Sequence, residues 1–208
     1  MTPVESSTRQ RIVDAGLHLF WKNGYAATGM SEILAQAQAN SGSFYYFFKS
    51  KEELLLAVLE LYVESLGPVV VEPVLAQYKD PVDRVFGILE FYRRNLLATG
   101  CTYGCPIGRL ALEIPEEQLK VHRLLADNFD GWTAAVEVSL EQAKDRFPRN
   151  TDLKTLAKFV LAVMEGGVMQ ARAHRKIDPF DASVAHLRDY FRLLTQSGKS
   201  KGPKSNKH

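Results

Sequence analysis

The chain has 208 residues, 46% of them hydrophobic, and a formal net charge of +2. That length supports one large domain, or one small and one medium domain, with a sizeable core. Two cysteines are too few for a disulfide framework, no run approaches the roughly 18 apolar residues that span a bilayer, and the opening MTPVESSTRQR has no signal-peptide pattern. The expectation is a soluble, cytoplasmic protein with no membrane partner. The last ten residues, KSKGPKSNKH, hold four lysines and no acid, so residues 1–198 carry −2. Any affinity for nucleic acid must therefore come from local charge. The stretch 199–208 reads as a basic disordered tail.

Helical periodicity dominates, and no strand-like alternation stands out. From Ser7 to Asn23, Ile12, Ala15, Leu19 and Asn23 recur at three and four, and Gly24 is a helix stop. A short second helix is expected from Thr28, whose hydroxyl would cap it, with Met30, Ile33, Leu34 and Ala37 following. Gln38, Ala39 and Asn40 form a turn. A third helix runs from Ser41 to Phe48. Ser50 caps a long fourth helix whose first turn holds Glu52 and Glu53, where carboxylates suit the helix dipole. Asp80-Pro81 opens a helix lined by Val85, Leu89, Tyr92 and Leu96. Pro106 opens a short one, PIGRLALEI. Pro115 opens a long one with Leu125, Phe129, Trp132, Val136, Leu140, Ala143 and Phe147 in a stripe. Asn150 to Asp152 caps the next, with Leu156, Val160, Val163 and Gly167 on one face, and Asp178-Pro179 ends or kinks it. A last helix carries Val184, Leu187, Phe191 and Leu194. The sum is an all-α chain of about nine helices: a three-helix unit over residues 1–50, a larger helical domain over 51–198, and the tail.

Helix, short turn, helix around residues 37–41 is a helix-turn-helix arrangement, whose second helix offers its N-terminal residues to the DNA major groove. The composition of SGSFYYFFKSKEEL fits that role. Phe44, Phe47 and Phe48 recur at three and four and can anchor the helix to a small core. Tyr45 and Tyr46 fall on the flank, where hydroxyls reach phosphate or base edges. Ser41, Gly42 and Ser43 let the backbone approach, and Asn40 is a cap first and a base contact second. Lys51 opens a helix, where its ammonium and free amides can hold one phosphate. Residues 1–51 hold five basic and three acidic side chains, a modest positive balance.

The segment GYAATGMSEILAQAQANSGSFYYFFKSKEEL, residues 24–54, resembles the DNA-binding domain of the TetR family of transcriptional regulators. CPIGRLALEI resembles a short segment of some members. The chain departs from the family's usual Gly at Gln38, a position that often takes positive φ, and from its frequent Lys or Arg at Ser41. The resemblance implies a homodimer on a palindromic double-stranded DNA operator, released by a small-molecule effector, with Thr28, Asn40, Ser41, Ser43, Tyr45, Tyr46 and Lys51 facing DNA. It implies ligand binding and dimerisation beyond residue 51.

Within that domain, Phe86, Leu89, Tyr92, Phe129, Trp132 and Met164 are aromatic or flexible apolar candidates for a pocket, with Cys105 and Arg109 beside them. Arg109 would meet an anionic ligand or pair with Glu113, and the pair is favoured. Gly167, Val168, Ala171, Leu187, Phe191 and Leu194 are candidates for the dimer interface. Two competing readings are a helical interaction protein without DNA binding, and a thiol-sensing regulator using Cys101 and Cys105. An enzyme is not expected, since no Gly-rich phosphate loop, H-E-x-x-H or G-x-S-x-G occurs. Nor is a metal or cofactor, because the two cysteines lack partners at ligand spacing.

Overall fold

The computed structural model describes residues 7–199. The tail beyond Lys199 and the first six residues lie outside the described part. Among the described residues every element is helical. The order is α1 (Thr8–Asn23), α2 (Met30–Gln36), α3 (Ser41–Phe47), α4 (Lys51–Leu66), a π-helical stretch (Gly67–Val71), α5 (Glu72–Gln77), α6 (Pro81–Ala98), α7 (Pro106–Glu113), α8 (Leu119–Gln142), a 3₁₀ turn (Lys144–Arg146), α9 (Leu153–His174) and α10 (Asp178–Lys199). The expected nine helices become ten because the long fourth one passes through the π-helical stretch into α5. That run, Lys51–Gln77, is long and apolar enough by composition to cross a membrane. This corrects the expectation that no such run exists. Its side chains Leu54, Leu55, Val58 and Leu59 nevertheless lie fully buried in a protein core.

Two compact units divide the chain, one made of residues 1–66 and 103–130, the other of 67–102 and 131–208. The cut therefore falls elsewhere than at residue 50. The first unit packs α1 against α2, α3, α4 and α7. Ile12, Leu19, Phe20, Ile33, Phe44, Leu54, Leu55, Val58 and Leu59 form its core. A Cβ added at Gly16 would meet Leu54 at 3.1 Å, so this glycine lets α4 close on α1. In the second unit α9 and α10 pack along their length, and α6 lies against both. Phe191 is the ring at the centre, 5.4 Å from Phe86 and 6.0 Å from Phe147. Each such buried aromatic is worth about 1.5–3 kcal/mol of transfer free energy.

Helix ends follow the sequence in most places. Ser7 accepts from Gln10 N at 3.2 Å, Asp80 accepts from Val82 N and Asp83 N, and Asp152 accepts from Thr155 N at 3.0 Å. Ser50 Oγ accepts from Glu53 N while Glu53 Oε2 accepts from Lys49 N, a reciprocal pair of end bonds. Two ends differ. α8 starts at Leu119, because Pro115 to Gln118 form a turn closed by Gln118 N to Pro115 O. Asp178-Pro179 opens α10 and does not close α9, which ends at His174 with Arg175 left-handed at φ 54°.

Candidate nucleic-acid interface

The helix-turn-helix is built in the first unit by α2 and α3. α2 ends in a Schellman closure: Ala39 N donates to Leu34 O at 3.0 Å and Gln38 N to Ala35 O at 3.2 Å. That closure requires a left-handed residue, and Gln38 supplies it at φ 49°. Arg11 Nε donates to Ala37 O at 3.1 Å, tying the turn to α1. Asn40 caps α3, its Oδ1 accepting from Ser43 N at 2.8 Å.

α3 is held by one side and bare on the other. Phe44 and Phe48 are buried, their rings 5.7 Å apart. Tyr45 and Tyr46 stand 61% and 83% exposed. Ser41 and Gly42 are exposed and Ser43 is half-buried. Phe47 departs from expectation. It is 37% exposed and lies edge-on to Tyr46 at 4.8 Å, so it belongs to the bare face and does not anchor the helix.

Two other candidates serve the fold. Thr28 is 1% exposed, and its hydroxyl donates to Gly24 O at 2.6 Å and Leu19 O at 3.2 Å. It closes the end of α1, while Gly29 stands at the start of α2 without a side-chain cap, so Thr28 neither caps α2 nor reaches a phosphate. Lys51 Nζ donates to Tyr25 O at 2.9 Å and Thr28 O at 3.0 Å, and sits 4.3 Å from the Tyr25 ring centre. Burial lowers its pKa. One ammonium proton remains for an outside acceptor, because two are spent on carbonyls.

Arg109 takes the paired reading. Its Nε donates to Glu113 Oε1 at 2.6 Å, and the guanidinium also donates to Lys22 O and Asn23 O at the end of α1. Glu113 Oε2 accepts from Tyr25 N at 2.8 Å. Three of its donors are thus committed, one to Glu113 and two to the end of α1. Phe129 and Cys105 lie with it in the first unit, whereas Phe86, Leu89, Tyr92, Trp132 and Met164 lie in the second. There Tyr92 and Trp132 stack at 5.1 Å, Met164 is buried, and Phe86 and Leu89 line a cleft of about 450 Å³. Burial pushes the Cys101 thiol pKa up, and Asp178 and Asp181 add to the effect, which opposes the thiolate a sensor needs.

The dimer candidates need correction. Gly167, Val168, Ala171, Leu187 and Phe191 are buried inside the chain, where α9 meets α10, and Leu194 is half-buried there. The outward face of α9 carries a different stripe, Phe159, Ala162, Gly166, Met169 and Ala173, at alternating spacings of three and four. Tyr190 and Leu193 are exposed on α10. The Tyr190 ring lies 5.7 Å from that of Phe159.

A short helix docked on an apolar core, with bare tyrosines and a capped N-terminus behind a tight turn, defines a helix-turn-helix DNA-binding protein. The sequence matches two family descriptions, "Bacterial regulatory proteins, tetR family" over residues 12–58 and "Transcriptional regulator LmrA/YxaF-like, C-terminal domain" over residues 81–186. The chain belongs to the TetR family and is a DNA-binding transcriptional regulator. It is 26% identical over 191 residues to the HTH-type transcriptional repressor NemR of Escherichia coli K12, covering 89% of this chain and 94% of that one. It is 27% identical over 182 residues to the HTH-type transcriptional repressor DhaR of Mycobacterium sp. GP1, covering 86% and 88%. Its fold is similar to the crystal structure of a TetR regulatory protein from Rhodobacter sphaeroides, with a TM-score of 0.78 at 24% identity over 90% of this chain and 98% of that one.

Proposed function

We propose that the protein is a homodimeric repressor that sits on a palindromic operator in the cytoplasm and leaves it when a small molecule binds. The observation that carries this is α3 itself, buried through Phe44 and Phe48 and bare at Tyr45 and Tyr46. Two large aromatic side chains with free hydroxyl ends, on a helix that a turn and a cap hold in place, suit phosphate and base-edge contacts. Ser41, Ser43 and Asn40 line the same N-terminal end. Lys51 adds its third proton to a phosphate. The relatives named as repressors support the sign of regulation.

The dimer forms through the outward stripe of α9 with Tyr190 and Leu193 of α10. A seam at spacings of three and four, with Gly166 at its middle, is the pattern of close helix-on-helix packing. A two-fold pair is what places two recognition helices at adjacent major grooves. The effector acts on the second unit, with Phe86, Leu89, Tyr92, Trp132 and Met164 as the candidate contacts. It favours the state with displaced recognition helices, so effector and DNA oppose each other by equal amounts.

The test is selection of bound duplexes from a random pool, with Tyr45→Ala in parallel. The expected outcome is an inverted repeat that the variant fails to enrich. Failure of the wild-type protein to enrich any sequence at low salt would refute the reading.

A further inference from the structure

The second unit contains a cleft lined by two of the candidate effector contacts, Phe86 and Leu89. About 450 Å³ lies open between α6, α10 and the loop after α5, a volume in the range of small-molecule sites. Its walls mix charged side chains with the aromatic Tyr78, Phe86 and Phe180. Tyr78 rests on the backbone of α6 at Gly87, where an added Cβ would come within 2.6 Å of the ring. Arg84 Nε donates to Tyr78 O at 2.9 Å and fixes that loop. Phe86 and Phe180 are buried behind it, and Leu89 and Val184 complete the apolar lining.

The rim is charged, and its charges are not equally free. Arg93 gives two hydrogen bonds to Asp181, at 2.8 and 3.1 Å. Glu90 lies 4.0 Å from Arg93 and 3.9 Å from Arg94, outside hydrogen-bond distance of either. Asp83 sits in the first turn of α6, where the helix dipole already favours a carboxylate. Arg188 differs from all of these. Its guanidinium carbon lies 3.9 Å above the Phe86 ring centre, and among the described residues no carboxylate stands within 4.0 Å of its nitrogens. A guanidinium resting over a ring by its carbon keeps N–H donors for a planar acceptor.

We propose that this cleft binds a planar aromatic monocarboxylate, its ring against Tyr78 and its carboxylate on the fork of Arg188. A carboxylate matches the fork in geometry and neutralises a lining cation that, among the described residues, has no carboxylate within 4.0 Å. A benzene-sized ring fits the cleft's volume and can lie against Tyr78. This deepens the effector reading and does not rest on the DNA-binding one, since it is tested on the free protein.

The experiment is ¹⁹F NMR titration of 4-fluorobenzoate into the full-length protein, with 4-fluorobenzamide as the neutral isostere. Arg188→Gln and Arg188→Lys are compared, each first shown to be folded by its near-UV circular dichroism. Binding of the acid is expected, with the amide and Arg188→Gln weaker by about tenfold or more, and Arg188→Lys intermediate because charge remains without the fork. Three results would each overturn the proposal: no binding of the acid at millimolar concentration, equal binding of acid and amide, or Arg188→Gln binding like the wild type.

Discussion

Arg109 and Glu113, one turn apart on α7, grip the end of α1 together. Glu113 receives Arg109 Nε at 2.6 Å and Tyr25 N at 2.8 Å, while Arg109 reaches the carbonyls of Lys22 and Asn23. The pair is mostly shielded, with 20% and 24% of the two side chains exposed. Gly24 makes the grip possible, because a Cβ there would stand 2.3 Å from Glu113 Oε1. Glu113→Ala leaves a part-buried guanidinium and the amides of Tyr25 and Ala26, which lie 2.8 and 3.4 Å from Glu113 Oε2, without their acceptor. It should cost about 2–3 kcal/mol, the scale for losing charged hydrogen-bond partners, read as a lower urea midpoint. The double variant Arg109→Gln/Glu113→Gln should cost less than the sum of the singles, since each single strands the other partner. Additive costs would show that the two act separately.

Gln38 holds a backbone conformation that favours glycine. A left-handed non-glycine residue costs roughly 1–2 kcal/mol, and glycine gives back about 0.5–1 kcal/mol in chain entropy. Gln38→Gly should therefore stabilise the protein by about 0.5–1 kcal/mol. The measurement is the unfolding midpoint. A fall in stability would mean that the Gln38 side chain makes a compensating contact.

The arrangement of α9 yields a test of assembly. Met169 is 62% exposed, and an added Cβ at Gly166 meets nothing within 4 Å in the single chain. Within one chain Gly166→Ala should stabilise the helix by about 1 kcal/mol. In a close-packed dimer the same methyl group obstructs the seam. Met169→Glu should produce monomers at micromolar concentration by sedimentation velocity, with an unchanged helical spectrum. Gly166→Ala should weaken association in the same assay. If both variants remain dimeric, the seam lies elsewhere.

How far the sequence could be read depends on which physical signal each residue carries. α1, α3 and the caps at Asn40, Ser50 and Asp152 were legible because capping is a local chemistry. Gln38 at positive φ was legible because the family resemblance marked a glycine position. Thr28 misled for a related reason: a threonine before a helix looks like a cap, yet its hydroxyl turns inward to the carbonyls of α1. The dimer residues misled because α9 is apolar on two sides. Periodicity defines a face but not which of two faces meets α10. Phe159, Ala162 and Gly166 follow the same spacings of three and four as Val160, Val163 and Gly167, one helical position away. Arg109 was legible only in part. Its pairing with Glu113 follows from the spacing, while its hold on α1 spans more than eighty residues and leaves no local trace. The cleft at Arg188 left none either, since Tyr78, Phe86 and Arg188 come from separate elements.

Asp80 gives a pH dependence whose sign follows from its partners. Partial burial raises its pKa, but hydrogen bonds from Asp83 N, Arg146 and Val82 N, with the Arg146 charge, outweigh that and hold it below its ordinary value of 3.8. The folded state thus binds this proton less readily than the unfolded chain. The stabilisation is present above pH 3.8 and is lost as the pH falls through the lower folded-state value. Arg146 Nη1 lies 2.6 Å from Asp80 Oδ2, with 41% of each side chain exposed, so solvent and salt screen much of the interaction. Asp80→Asn keeps the size and one acceptor for the α6 cap but removes the charge. The variant should be less stable than the wild type at pH 7, by about 0.5–1 kcal/mol. The gap should close as both proteins are taken below pH 4, and narrow at pH 7 in molar salt. A gap independent of pH would place the whole effect in the cap geometry and none in the charge.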